Sequence, residues 1–164
     1  VTVVCLLGEQ GTDVQYELLS RETAREALMT YSFAEPFRNS LAVETVSLGA
    51  AVSLCNDLDW YLLRFVDQAI IREPSITSDE WLSRSLATAV RDEQIPPSKT
   101  GERLAIYGVV DGSPTEPMYV TRRANRMTFA RSKKRLSSAS RRMNSMNDHI
   151  CLITVSLNSR RTFI

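Results

Sequence analysis

One stretch of 26 residues, "LGAAVSLCNDLDWYLLRFVDQAIIRE" (Leu48 to Glu73), constrains the fold more than any other part of the chain. Leu48, Ala51, Val52, Cys55, Leu58, Leu62, Phe65, Val66, Ala69 and Ile70 recur at about 3.6 residues per turn, so they share one side of a helix. Pro74 stops it. Such a helix must lay its apolar side on another layer. Asp59 interrupts the stripe, between Cys55 and Leu62. A buried carboxylate is costly unless paired. Two expectations follow. Either the helix breaks at "NDLDW", with Asp57 or Asp59 capping its second half, or it is continuous and buries an acid beside an arginine. The cap-like "ND" and "LD" pairs favour the break.

The opposite side of the same stretch carries Asn56, Trp60, Arg64 and Asp67 at i, i+4, i+8 and i+11. Polar groups around one large aromatic suit a partner-binding face. The plainer alternative is a solvated face with an Arg64–Asp67 ion pair.

Strand signals flank this helix. "VTVVCLL" is a continuous apolar run that suits a strand buried on both faces. "VQYELL" alternates, with Val14, Tyr16 and Leu18 on one face, and reads as a second strand. Ser20 is placed to cap a helix running to about Tyr31, with Ala24, Ala27, Leu28 and Tyr31 inward. "LAVETVSL" reads as a third strand. "TSDEWLSRSLATAVRD" reads as a helix capped by Ser78, with Asp79 and Glu80 at its positive end and Trp81, Leu82, Leu86, Ala89 and Val90 inward. "RLAIYGVV" and "PMYVTR" form a hairpin across "DGSPTE". The expected architecture is mixed α+β: a small sheet of about five strands with three or four helices, in a single pair of layers. Residues 1–122 form one globular domain, 123–149 a basic disordered tail, and 150–158 a C-terminal strand.

Charge divides the chain at the same place. Residues 1–120 hold nine lysines and arginines against eighteen aspartates and glutamates, a net charge of −9, and Lys99 is their only lysine. Residues 121–164 hold eleven basic residues and one acid, Asp148. An acid-rich, lysine-poor surface suits a salt-filled cytoplasm, because molar salt shrinks the Debye length to about 3 Å and quiets repulsion among carboxylates. Ordinary acidity is the alternative. Three readings of "TRRANRMTFARSKKRLSSASRRMNSM" stand side by side. It is an arm for nucleic-acid phosphates, a disordered tail on an acidic body, or a segment translated in a shifted frame, in which acidic codons turn into arginine codons.

Chemical motifs are sparse. His149 is the only histidine, so a histidine triad or multi-histidine metal site is excluded within one chain. "PSKTGE" lacks the glycine spacing of a phosphate loop, and "GEQG" is a turn. No cofactor and no metal are expected. Cys5, Cys55 and Cys151 are isolated, and the first two read as buried thiols. No apolar run is long enough to span a membrane, and no signal peptide is evident, so a cytoplasmic location is expected. Asp59 with Arg64 is the one candidate for histidine-independent catalysis.

"YELLSRETAREAL", "NSLAVETVSLGAAVSLCNDLDWYLLRFVD" and "EPSITSDEWLSRSLATAVRD" resemble a small family of uncharacterised haloarchaeal proteins, a domain of unknown function, over residues 1–122. The resemblance implies a salt-adapted archaeal cytoplasm and no activity. Three functions are therefore weighed: a non-enzymatic regulatory or partner-binding module, a small enzyme using Asp59 and Arg64, and a nucleic-acid binder if the basic tail is genuine.

Overall fold

The computed structural model describes residues 1–123, 126–129 and 151–158. In chain order the elements are β1 (Thr2–Gly8), α1 (Val14–Leu19), α2 (Glu22–Leu28), β2 (Phe33–Ala34), β3 (Ser40–Thr45), α3 (Leu48–Asp57), α4 (Asp59–Phe65), β4 (Val66–Arg72), β5 (Trp81–Ser83), α5 (Arg84–Arg91), a 3-10 turn (Pro97–Lys99), β6 (Arg103–Val110), β7 (Ser113–Pro114), β8 (Met118–Arg123), β9 (Arg126–Phe129) and β10 (Cys151–Ser156). All strands join one mixed sheet in the order β2-β3-β1-β4-β5-β10-β6-β8-β9, with β7 beside β6. Among the described residues only the β5–β10 pair is parallel; every other pair is antiparallel.

The α+β class stands, but the expected small sheet of about five strands with three or four helices does not. Among the described residues there are ten strands and five α-helices. Each difference has a local cause. The apolar period from Leu48 onward fits a helix up to Phe65, but Val66–Arg72 is a strand. Adjacent Ile70 and Ile71 are both fully buried, on opposite faces of the sheet, as in a strand covered on both sides. Val14–Leu19 is a helix instead of an alternating strand. The Asp13 carboxylate accepts the Tyr16 N–H at 3.0 Å, and Val14 and Leu18, four residues apart, are buried while Tyr16 is exposed. Ser20 closes that helix, and α2 starts after Arg21 with no side-chain cap. Trp81–Ser83 is a strand, so the next helix is capped by Ser83, which accepts the Leu86 N–H at 3.3 Å, and not by Ser78. The expected hairpin forms, with Leu104 opposite Val120 and Ile106 opposite Met118.

The helices cover one face of the sheet. Val4, Leu6, Leu41, Val43, Ile71 and Leu82 meet Val14, Leu18, Leu28, Val52, Leu58, Leu62 and Leu86 there. Among the described residues no helix contributes to the second buried cluster, which joins Cys5, Leu7, Ala42, Ile70 and Trp81 to Ala105, Tyr107, Ile153 and Val155. The sheet makes this second core by curling. From β3 to β6 is five strand spacings, about 24 Å if flat. Yet the Arg38 N–H, just before β3, reaches the Gly112 carbonyl, just after β6, at 2.7 Å. A single pair of layers is therefore replaced by a helix layer on a sheet that partly closes on itself. Burial pushes the Cys5 thiol up to about 12 and the Cys55 thiol up to about 11.

β10 is an inner strand, between β5 and β6. Ser156 at its end donates to Glu80 Oε2 at 3.1 Å, while Glu80 Oε1 accepts from Arg122 at 2.6 Å. Glu80, expected at a helix start, instead ties three strands. Gly101 sits against this clamp at φ +84, where a Cβ would lie 3.1 Å from Glu80. Within the stretch read as a tail, Arg126–Phe129 pairs with β8. His149 and the other residues of 130–150 lie outside the described residues.

Candidate functional site

The break expected at "NDLDW" is present, with a different cause. Neither aspartate caps the second helix. Leu58 occupies the hinge at φ −93 and ψ 4, and its side chain is 1% exposed, in the buried position the stripe assigned to this turn. Asp59 therefore turns outward. Its carboxylate meets the Arg84 guanidinium at 2.7 Å, and Asn56 Oδ1 accepts from the same guanidinium at 3.2 Å. Arg84, the first residue of α5, thus links the end of α3 to the start of α4. The pair is partly exposed, so it contributes on the order of 0.2–1 kcal/mol.

These groups line a cleft of about 740 Å³. Its floor comes from a gap in the sheet. β5 is three residues long and covers only Ile70 and Ile71 of β4 before the chain turns into α5. Val66, Asp67, Gln68 and Ala69 of β4 therefore line the cleft together with Arg84, Ser85 and Asn158. The register of β1 against β4 slips here: Leu7 opposes Gln68 and Gly8 opposes Val66, so Asp67 is the extra residue of a bulge. Bulges re-aim side chains, and Asp67 is exposed. Its negative charge also helps, after burial and Tyr119, to push the Tyr107 hydroxyl up to about 12. The cleft offers three carboxylates (Asp59, Asp67 and Asp92), one guanidinium, amides and hydroxyls.

A second feature lies on the outer side of α4. Trp60 is 51% exposed. The Arg64 guanidinium lies 4.5 Å from its ring centre, and Arg21 approaches from the junction of α1 and α2 at 5.9 Å while covering Phe65 at 4.9 Å. Glu17 holds Arg21 at 2.9 Å. Phe65 and Tyr61 meet the indole edge-on. Each exposed cation–π contact is worth about 0.5–1 kcal/mol, so the ring is held in place while still open to solvent.

Residues 2–109 match a family of unknown function, DUF5804, across more than half of the chain. The chain belongs to that family. No curated protein and no solved structure matches it. Of the described residues, the matched part of this DUF5804 chain includes all five helices, the Trp60 surface and every cleft residue except Asn158.

The helical stripe is thus divided by the fold. Asn56 and Asp67 join Asp59 in the cleft, while Trp60 and Arg64 form the stacked surface. The ion pair of Asp59 is with Arg84, and Arg64 lies on Trp60, 4.5 Å from its centre. Arg21, Arg84, Gln68 and Asn158 carry no signal at sequence level, because each reaches its place only through tertiary packing. Among the described residues, no three His, Cys, Asp or Glu side chains are grouped to hold a metal. No helix there is long and apolar enough to cross a membrane.

Proposed function

We propose that this DUF5804 protein is a small, non-enzymatic regulatory or partner-binding module of a haloarchaeal, salt-adapted cytoplasm, and that it docks a protein partner through the Trp60 surface. The observation that carries this reading is an exposed tryptophan framed by Arg21 and Arg64. Tryptophan and arginine are the residues most enriched at binding hot spots, and a ring already fixed loses little entropy on docking. The acid-rich, lysine-poor character of residues 1–120 supports the salt-adapted origin.

Affinity capture from a haloarchaeal lysate in molar KCl tests both parts. The wild-type chain should retain a defined partner that Trp60→Ala loses. Val110→Ala, at an exposed position on β6, should keep it. Equal capture by the Trp60 and Val110 variants would overturn the docking surface. A folding stability indifferent to salt, from dilute buffer to molar KCl, would overturn the salt adaptation.

A further inference from the structure

The gap in the sheet has the dimensions of a missing strand. β4 and β10 are separated in strand order only by β5, so they stand two spacings apart, about 9–10 Å. β5 fills that lane for three residues. It then leaves as α5, while β10 ends at Ser156 and the chain passes on to Asn158 in the cleft lining. The vacated lane is flanked by the edge of β4 over residues 66–69, where β5 makes no pair. Among the described residues three carboxylates and one guanidinium line it; that guanidinium is held by Asp59 and Asn56, and Asp92 is held by Arg91 at 2.8 Å. Asp67, re-aimed by the bulge, is the carboxylate beside the open edge.

We propose that this lane binds an extended peptide segment of another protein, which continues the path of β5 along β4 and sets a cationic side chain against Asp67. Backbone hydrogen bonds to the edge supply affinity in such strand addition, and side-chain contacts supply selectivity. Charge complementarity names the cation, since among the described residues the lining is net negative and Asp67 is its one carboxylate outside the Asp59–Arg84 and Asp92–Arg91 pairs. The inference is independent of the Trp60 surface, which lies outside the cleft lining.

The test uses three capped pentapeptides, Val-Thr-Arg-Thr-Val and its Gln and Glu counterparts, titrated into the ¹⁵N-labelled full chain. The arginine peptide should shift the amides of Asp67, Gln68 and Ala69, and the glutamate peptide should not. Asp67→Asn should weaken the arginine peptide by about fivefold, the factor set by one exposed ion pair. Arg84→Gln should tighten it, because Asp59 is released to the ligand; a merely structural role for Arg84 would not give this sign. No shift at residues 67–69 would overturn the proposal, as would equal binding of the three peptides or indifference to Asp67→Asn. Binding seen only after the chain is shortened past Asn158 would also overturn it, by giving the lane to the chain's own following residues.

Discussion

The cleft and the Trp60 surface begin as one helical stripe and end as opposite uses of arginine. In the cleft, Arg84 is held edge-on by a carboxylate at 2.7 Å and an amide at 3.2 Å. On the outer surface, Arg64 lies over an indole at 4.5 Å. The first arrangement is directional and electrostatic, and salt screens it. The second draws on a ring quadrupole and apolar contact, which salt weakens less. The difference between the two is made by one residue. Leu58 takes the buried position, so Asp59 swings to one side of the break and Trp60 to the other.

The largest effect should come from attacking that divider. Leu58→Ala should destabilise the fold by about 2–5 kcal/mol, read by urea denaturation. It should disturb both regions, seen as amide shifts at Arg84 and Trp60 together. A loss confined to one region would show that the two are held separately. Alkaline pH should act next. The folded thiols of Cys5 and Cys55 ionise near 12 and 11, against an ordinary value of 9. Their folded pKa values are raised, so their contribution is complete below pH 9 and is lost as pH rises from 9 toward 11 and 12. Urea midpoints should fall over that window, and less steeply in a Cys5→Ala, Cys55→Ala chain.

Smaller effects separate the two arginines. A double-mutant cycle on Asp59 and Arg84 should give a coupling of about 0.2–1 kcal/mol in dilute buffer and close to zero in molar KCl. The cycle on Trp60 and Arg64 should give about 0.5–1 kcal/mol and survive the salt. Equal salt sensitivity would erase the distinction. The smallest effect is on Cys55, whose thiol is raised by burial and lowered by Arg84. Arg84→Gln should push it higher still, measured by alkylation rate against pH, while Trp60→Ala should leave it unchanged.

The sequence showed some of this directly. Four apolar residues in a row, Val4 to Leu7, announced a strand covered on both faces, and all four are buried. The hairpin of β6 and β8 followed from its two runs and the turn between them. The helix break was visible because an aspartate fell on an apolar stripe. β4 was hidden because Val66, Ala69 and Ile70 satisfy a helical period as well as a strand, and period alone does not arbitrate between them. β5 was hidden because three residues preceding a helix extend its apolar pattern. The cleft was beyond reach for a different reason. It exists because β5 stops early, and nothing in "WLS" says where its neighbour on β4 continues.

The position of β10 has a consequence for how the molecule is made. The strand that completes the middle of the sheet is the last described element to leave the ribosome. Until it arrives, a nascent chain ending near Arg123 presents two unfilled strand edges, on β5 and on β6, with the second apolar core still lacking Ile153 and Val155. Such edges are templates for pairing with neighbouring chains. Synthesis therefore carries a hazard of misassembly late, and the Glu80 clamp on Ser156 closes that interval.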